Sequence, residues 1–183
     1  NFNVLHNTTA NNSKAGIFVN GGARFNIDSN TVYNSSRQLY VLKIGGNIDD
    51  ISVNYNTLTA KETTQYAAYY EPGATTMPAS FSANNNCYAR PIADNTSIWY
   101  DADGANNYVT LAQWKASAFA GGEDAASTKA FKAVSTTNDL LFVYNATGST
   151  VNKALPAKYA NVNGGTAYNG MITLAPYSSA VLV

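Results

Sequence analysis

The segment Ile51-Ser52-Val53-Asn54-Tyr55-Asn56-Thr57-Leu58 decides the fold, because the chain repeats it. Upstream stand Phe2-Asn3-Val4-Leu5-His6-Asn7-Thr8 and Phe25-Asn26-Ile27-Asp28-Ser29-Asn30-Thr31-Val32, and downstream stands Phe81-Ser82-Ala83-Asn84-Asn85-Asn86-Cys87-Tyr88. Each copy has an apolar residue, another two positions later, an asparagine five after the first, and then Thr or Cys. The starts lie 23, 26 and 30 residues apart. Period-two alternation buries one face of a short strand. Asparagine then turns the chain, since its side chain bonds nearby backbone and it tolerates a left-handed conformation. Short strands recurring every roughly 20–30 residues predict coils of a parallel β-helix, apolar residues stacked inside and asparagines stacked at a corner.

Residues 16–20, 39–44 and 66–70 supply the next strand of successive coils, and Gly21-Gly22 and Gly45-Gly46-Asn47 punctuate the following corner. From about Asn95 the pattern changes. Ser97-Ile98-Trp99-Tyr100 reads as a strand, Asp101-Ala102-Asp103-Gly104 as a turn and Tyr108-Val109 as a brief extended link. Thr110-Leu111-Ala112-Gln113 is a capping box that opens a short helix, with Leu111 and Trp114 on one face and Gly121-Gly122 after its end. Residues 140–144, 151–155, 158–162, 168–174 and 179–183 are short strands about ten residues apart, which predicts a small antiparallel sandwich. The expected organisation is all-β. Residues 1–130 form the final coils of a right-handed parallel β-helix with a capping helix. A linker around Ser135-Thr136-Thr137-Asn138 follows, and residues 139–183 form a small β-sandwich.

Composition narrows the function. The 183 residues carry 11 Lys+Arg against 11 Asp+Glu, and only 12% are charged. With no cationic surplus to neutralise phosphates, nucleic acid is not an expected partner. No apolar run approaches the roughly 18–20 residues of a membrane span. The single cysteine, Cys87, excludes an intramolecular disulfide and a cysteine-rich zinc site. Asparagine (24 residues) and tyrosine (13) take the place of charge, a surface suited to a secreted protein that meets sugars. Asn1 opens in the middle of a patterned segment, and a coil exposes its backbone at both ends. Preceding coils of the same protein, or a capping partner chain, are therefore expected at the first edge.

Three features carry a family resemblance: the coil ending in Asn-Thr or Asn-Cys, the run from Trp99-Tyr100-Asp101 through Thr110–Ala116 to Gly122-Glu123-Asp124-Ala125-Ala126-Ser127, and the ending from Tyr168 through Leu174-Ala175-Pro176-Tyr177-Ser178-Ser179 to Val183. The chain resembles the C-terminal part of secreted bacterial right-handed parallel β-helix proteins, many of them similar to polysaccharide lyases and glycoside hydrolases. The resemblance implies an extracellular or cell-surface protein that acts on or binds a polysaccharide, with catalytic groups upstream of this chain. The alternative is a non-catalytic surface, adhesin or structural subunit.

Polysaccharide hydrolysis needs two carboxylates across a sugar ring, and Asp28 with Asp50 or Glu62 are the candidates on stacked coils. Trp99, Tyr100, Tyr69 and Tyr70 could form sugar-stacking surfaces; Tyr69 and Tyr70 point to opposite sides, and Tyr70, Trp99 and Tyr100 are the candidates. Asp101 and Asp103 space oxygen ligands as a calcium loop begins, but the twelfth position is Ala112, so a turn is the expectation and no cofactor is assigned. Cys87 has no base beside it in the sequence and reads as a buried small residue.

Overall fold

The computed structural model describes residues 1–43 and 48–183. The Gly45-Gly46-Asn47 corner and Ile44 lie outside the described residues. Each repeat opens a coil of three short strands. The first coil holds β1 (Phe2–Leu5), β2 (Thr8–Ala10) and β3 (Ala15–Asn20). The second holds β4 (Gly22–Asp28), β5 (Thr31–Tyr33) and β6 (Arg37–Leu42). The third holds β7 (Ile48–Asn54), β8 (Thr57–Thr59) and β9 (Tyr66–Glu71), and the fourth β10 (Phe81–Asn84), β11 (Cys87–Ala89) and β12 (Ile98–Ala102). Strands of equal rank pair in parallel: β1-β4-β7-β10 form sheet A, β2-β5-β8-β11 run through sheet B, and β3-β6-β9-β12 run through sheet C. The register pairs Phe2 with Phe25 and Phe81 with Ile51, so the aligned sequence copies are aligned coils. The chain is a parallel β-solenoid of about four turns.

Inside, Ile27, Ile51 with Val53, Leu39 with Val41, and Val32 with Leu58 stack coil on coil with almost no exposure. One corner, between sheets A and B, is built from asparagine. Asn7 donates its backbone and side-chain N–H to Asn30 Oδ1 (2.9 and 3.1 Å), Asn30 donates likewise to Asn56 Oδ1 (3.0 and 2.9 Å), and Asn56 to Asn86 Oδ1 (3.0 Å for both). The second side-chain hydrogen of Asn30, Asn56 and Asn86 goes to the carbonyls of Val4, Ile27 and Val53. The left-handed residue at this corner is not the asparagine but the one before it: His6, Ser29, Tyr55 and Asn85 have φ of 54°, 57°, 55° and 56°. Asparagine's amide is needed for the ladder, which fixes its own backbone elsewhere.

The ladder ends on Asp124, which is fully buried. Asn86 donates its backbone N–H to Ser127 Oγ (2.8 Å) and its amide to Asp124 Oδ1 (3.3 Å). Asp124 also accepts from Tyr88 OH (3.0 Å), Trp114 Nε1 (2.8 Å) and Ser127 Oγ (2.5 Å). Trp114 belongs to α1 (Leu111–Ala116), where Thr110 and Gln113 form the expected capping box. Its ring stacks on Tyr70 with centroids 4.9 Å apart, which closes this end of the core.

Several stretches differ from expectation. Tyr108-Val109 is not a brief link but the end of a strand, β13 (Ala105–Val109), antiparallel to β12. The two-residue turn between them, Asp103-Gly104, has positive φ at both positions, as a type I′ hairpin requires. β14 (Thr128–Lys129) then adds to sheet B beside β11. The C-terminal strands β15 (Leu141–Tyr144) and β18 (Ser179–Leu182) pair antiparallel, as do β16 (Val151–Ala160) and β17 (Ala167–Leu174). β16 is one ten-residue strand where two were expected, and its register shifts between Ala154 and Lys158, around Pro156, which has no N–H for a ladder. The two sheets share an apolar cluster of Leu155, Ile172, Leu174, Ala180 and Leu182. They sit on the flank of the solenoid rather than over its end. Tyr33, Cys87 and Ala89 of sheet B pack outward against Leu140, Val162, Val181 and Val183, and Tyr33 stacks on Phe142 at 5.0 Å. Ser135–Asn138 is not slack: the Thr136 side chain caps a 3₁₀ turn at Thr137–Asp139.

Asn56→Ala removes one acceptor and two side-chain donors from the middle of the buried ladder, so it is expected to destabilise by about 3–5 kcal/mol. Asn3→Ala, exposed on the same sheet, should change stability by less than about 0.5 kcal/mol in urea unfolding. Cys87, with its thiol pushed up to about 11 by burial, should label with a disulfide reagent at pH 8 only as fast as the C-terminal strands leave sheet B. Truncation before β15 should make that labelling immediate.

Candidate functional site

Period-two alternation sends every second residue of sheet C to the outside. The register then lines up Phe18 with Tyr40, Tyr40 with Tyr69, Tyr69 with Trp99 and Trp99 with Tyr108. The rings form a continuous external ladder with successive centroids 4.8, 4.6, 3.8 and 5.4 Å apart. Stacking uses the ring faces, which leaves the edges turned outward: those of Tyr40 and Trp99 are half-buried, and Tyr69 is only 4% exposed. Faces are free only at the ends, where Phe18 and Tyr108 are 52% and 47% exposed. The Arg37 guanidinium lies 5.0, 5.1 and 4.9 Å from the centroids of Tyr40, Tyr69 and Trp99, a cation shared by three rings.

On the other side of the ladder runs a second outward row, two residues further along each strand. Leu42 pairs with Glu71, and Asp101 with Asn106. Tyr70 pairs with Tyr100, which brings Glu71 beside Asp101 on strands about 4.8 Å apart. Tyr40 OH donates to Glu71 Oε2 at 2.8 Å, and Trp99 Nε1 donates to Asn106 Oδ1 at 2.7 Å. Asp101 accepts from the Gly104 N–H of the hairpin turn. Burial and the Glu71 carboxylate push the Tyr40 phenol up to about 12, and the same two causes raise Tyr69. The result is a strip of aromatic rings, with Tyr69 buried at its centre, bordered by the half-buried carboxylates of Glu71 and Asp101 and the exposed amide of Asn106 on one face.

The expected catalytic acids do not come together. Asp28 ends β4 opposite Asn54 and accepts from Ser29 Oγ at 2.5 Å. Asp50 sits four residues before Asn54 on β7, about 13 Å along the sheet from Asp28, and its N–H is held by Ser80. Glu62 lies in the loop after β8, at the corner toward sheet C, where its charge adds to burial in raising Tyr33 to about 12. Among the described residues no group of three or more His, Cys, Asp or Glu side chains converges. Asp101 and Asp103 stand in the β12–β13 hairpin, one bonded to the turn and the other at its left-handed position.

The three aromatic candidates part company. Trp99 lies in the external ladder. Tyr70 has no exposure and faces inward, its hydroxyl 2.9 Å from Tyr88 OH, so it presents nothing to a sugar. Tyr100 points the same way, since neighbouring residues alternate faces, and its ring stacks on Phe119 at 4.3 Å. Sequence reasoning missed Tyr40, Glu71 and Asn106, and it took Tyr70 rather than its neighbour Tyr69 as the partner of Trp99. The signal was present: an aromatic stands at the same place in each coil, with Glu71 and Asp101 two residues after it. No protein-family model matches the chain, no curated protein matches it, and no solved structure matches it.

The raised phenols give an alkaline prediction. A tyrosine whose folded pKa lies above its unfolded value near 10 stabilises the fold fully below pH 10 and loses that contribution as pH rises toward the folded value. Tyr33, Tyr40, Tyr69, Tyr70 and Tyr88 are all raised, foremost by burial. Stability should therefore fall between pH 10 and 12. Phenolate absorbance at 295 nm should rise in two steps, these five of the 13 tyrosines appearing in the later one, together with unfolding.

Proposed function

We propose that the outer face of sheet C is a polysaccharide-binding surface of a secreted or cell-surface protein, and that the whole is a right-handed parallel β-helix whose C-terminal strands form a sandwich-like flank. The observation that carries the reading is the pairing of the aromatic ladder with the Glu71, Asp101 and Asn106 row. Sugars present hydroxyl donors around apolar ring patches. The row offers acceptors for the hydroxyls, and the ladder offers apolar edges and the open faces of Phe18 and Tyr108. Coil-to-coil spacing repeats the acceptors along the solenoid axis, which suits an extended polymer better than a small molecule.

Binding rather than bond cleavage is the activity assigned to these coils. Glu71 and Asp101 lie side by side on one face of sheet C, whereas glycosidic cleavage needs carboxyls on both sides of the scissile bond. Cleavage in the full protein then belongs to groups outside this chain. A second reading, a non-catalytic surface or adhesin segment, is favoured by sheet A, whose outer side shows Asn3, Asn26, Ser52 and Ser82 in register.

Affinity electrophoresis through gels containing mixed-linkage glucan, xylan or polygalacturonate separates the readings. Retardation by at least one polymer is expected, with the Glu71→Gln/Asp101→Asn double variant weakened at least about tenfold, the worth of one charged hydrogen bond. Asp28→Asn should bind as the parent does. Binding should also quench or shift Trp99 fluorescence, and the signal should vanish in Trp99→Phe while buried Trp114 stays silent. Undiminished retardation of the double variant removes sheet C as the site, and no retardation in any gel favours the adhesin reading.

A further inference from the structure

The end of the solenoid at the first coil differs from the end closed by Trp114. β1 is an edge of sheet A, β2 of sheet B and β3 of sheet C, so three strands expose unpaired backbone at once. Phe2, stacked at 4.9 Å on Phe25, is 63% exposed, and Phe18, stacked on Tyr40, is 52% exposed. The corresponding positions one coil on are covered. The asparagine ladder is also unfinished here. Every other ladder asparagine accepts two N–H groups on Oδ1 from the coil before it, while Asn7 Oδ1 accepts no hydrogen bond from any described residue.

We infer that this end receives a further coil of the same solenoid, running directly into Phe2. The surface it offers is continuous with three coil-to-coil interfaces already formed within the chain, and it sets the chemistry of the occupant. An asparagine must lie over Asn7, because only a residue with a backbone N–H and a side-chain amide side by side repeats the two donors seen at each lower step. The residue before that asparagine must take a left-handed backbone, as His6 does over Ser29. An aromatic or large aliphatic residue must cover Phe2, and another must cover Phe18. A second copy meeting end to end about a two-fold axis does not repeat this interface, since the rotation reverses the sense in which the chain winds and sets strands antiparallel where each coil-to-coil step within the chain is parallel.

The test adds such a coil. A tandem copy of residues 2–24 is placed directly before Phe2, and a matched form carries alanine at the copy's ladder asparagine. Hydrogen exchange of the β1, β2 and β3 amides, melting temperature and sedimentation are compared with the parent chain. The added coil should slow exchange across the first coil at least about tenfold and raise Tm by about 5 °C or more, and the alanine form should lose most of both gains. An added coil that stays unprotected on a folded parent overturns the inference. So does a parent whose first-coil amides already exchange slowly, whether as a monomer, meaning the edge needs nothing, or as a concentration-dependent dimer, meaning a second copy covers it.

Discussion

The asparagine ladder is the constraint on which the other features depend. Four side chains at one corner pass hydrogens from coil to coil: Asn7 gives to Asn30, and Asn30, Asn56 and Asn86 each take two hydrogens on the carbonyl side of the amide while giving others away. In the dry corner these bonds polarise one another, and a missing member leaves several buried groups without partners. Because the ladder allows no slippage, it fixes the register of sheets A and B, and through them that of sheet C. The stacked rings outside and the stacked aliphatics inside are consequences of that register. Asp124 gives the ladder a definite end and ties it to Trp114 and Tyr88, so the closing helix is joined to the spine by polar bonds as well as by packing.

The solenoid was legible because its period is written in residues that have few other uses. Four copies of an alternating strand followed by asparagine sufficed to align the coils, and the spacings of 23, 26 and 30 residues are the separations spanned by the ladder bonds. The capping box of α1 was equally readable, being local. The turn at Asp101–Gly104 was readable too, but the strand that returns from it was not: Ala105-Asn106-Asn107 has no apolar alternation, so only Tyr108-Val109 reads as extended. The docking of the C-terminal strands onto the flank of sheet B was not readable. It depends on the outward residues Tyr33, Cys87 and Ala89: Cys87 ends a row of threonines (Thr8, Thr31 and Thr57), and Tyr33 and Ala89 share a row with Ala10 and Thr59. Nothing in a single strand says whether an outward apolar residue meets solvent or another part of the chain.

The candidate site shows the same division. Trp99 was identified from residue type alone, and residue type also suggested Tyr70 and Tyr100, which alternation turns inward. The catalytic acids were paired by proximity of coils, without the position along each strand. Asp28 and Asp50 are on neighbouring strands yet far apart along them, while Glu71 and Asp101 share both coil adjacency and position. In a solenoid a functional cluster requires two coordinates, coil number and place within the coil. A linear reading supplies the first more easily than the second.

The corners of the coils differ in length in a regular way. The corner that holds the ladder has two residues in every coil, 6–7, 29–30, 55–56 and 85–86. The other two vary, from the single residue 21 to the nine residues 72–80 on one side, and from the three residues 34–36 to the eight residues 90–97 on the other. The spine is therefore fixed in length and the rim is free. Insertions can be accommodated at two edges of each coil, reshaping the margins of sheet C and the approach to its aromatic strip, while the asparagine corner, and with it the pitch of the coil stack, leaves no room for them.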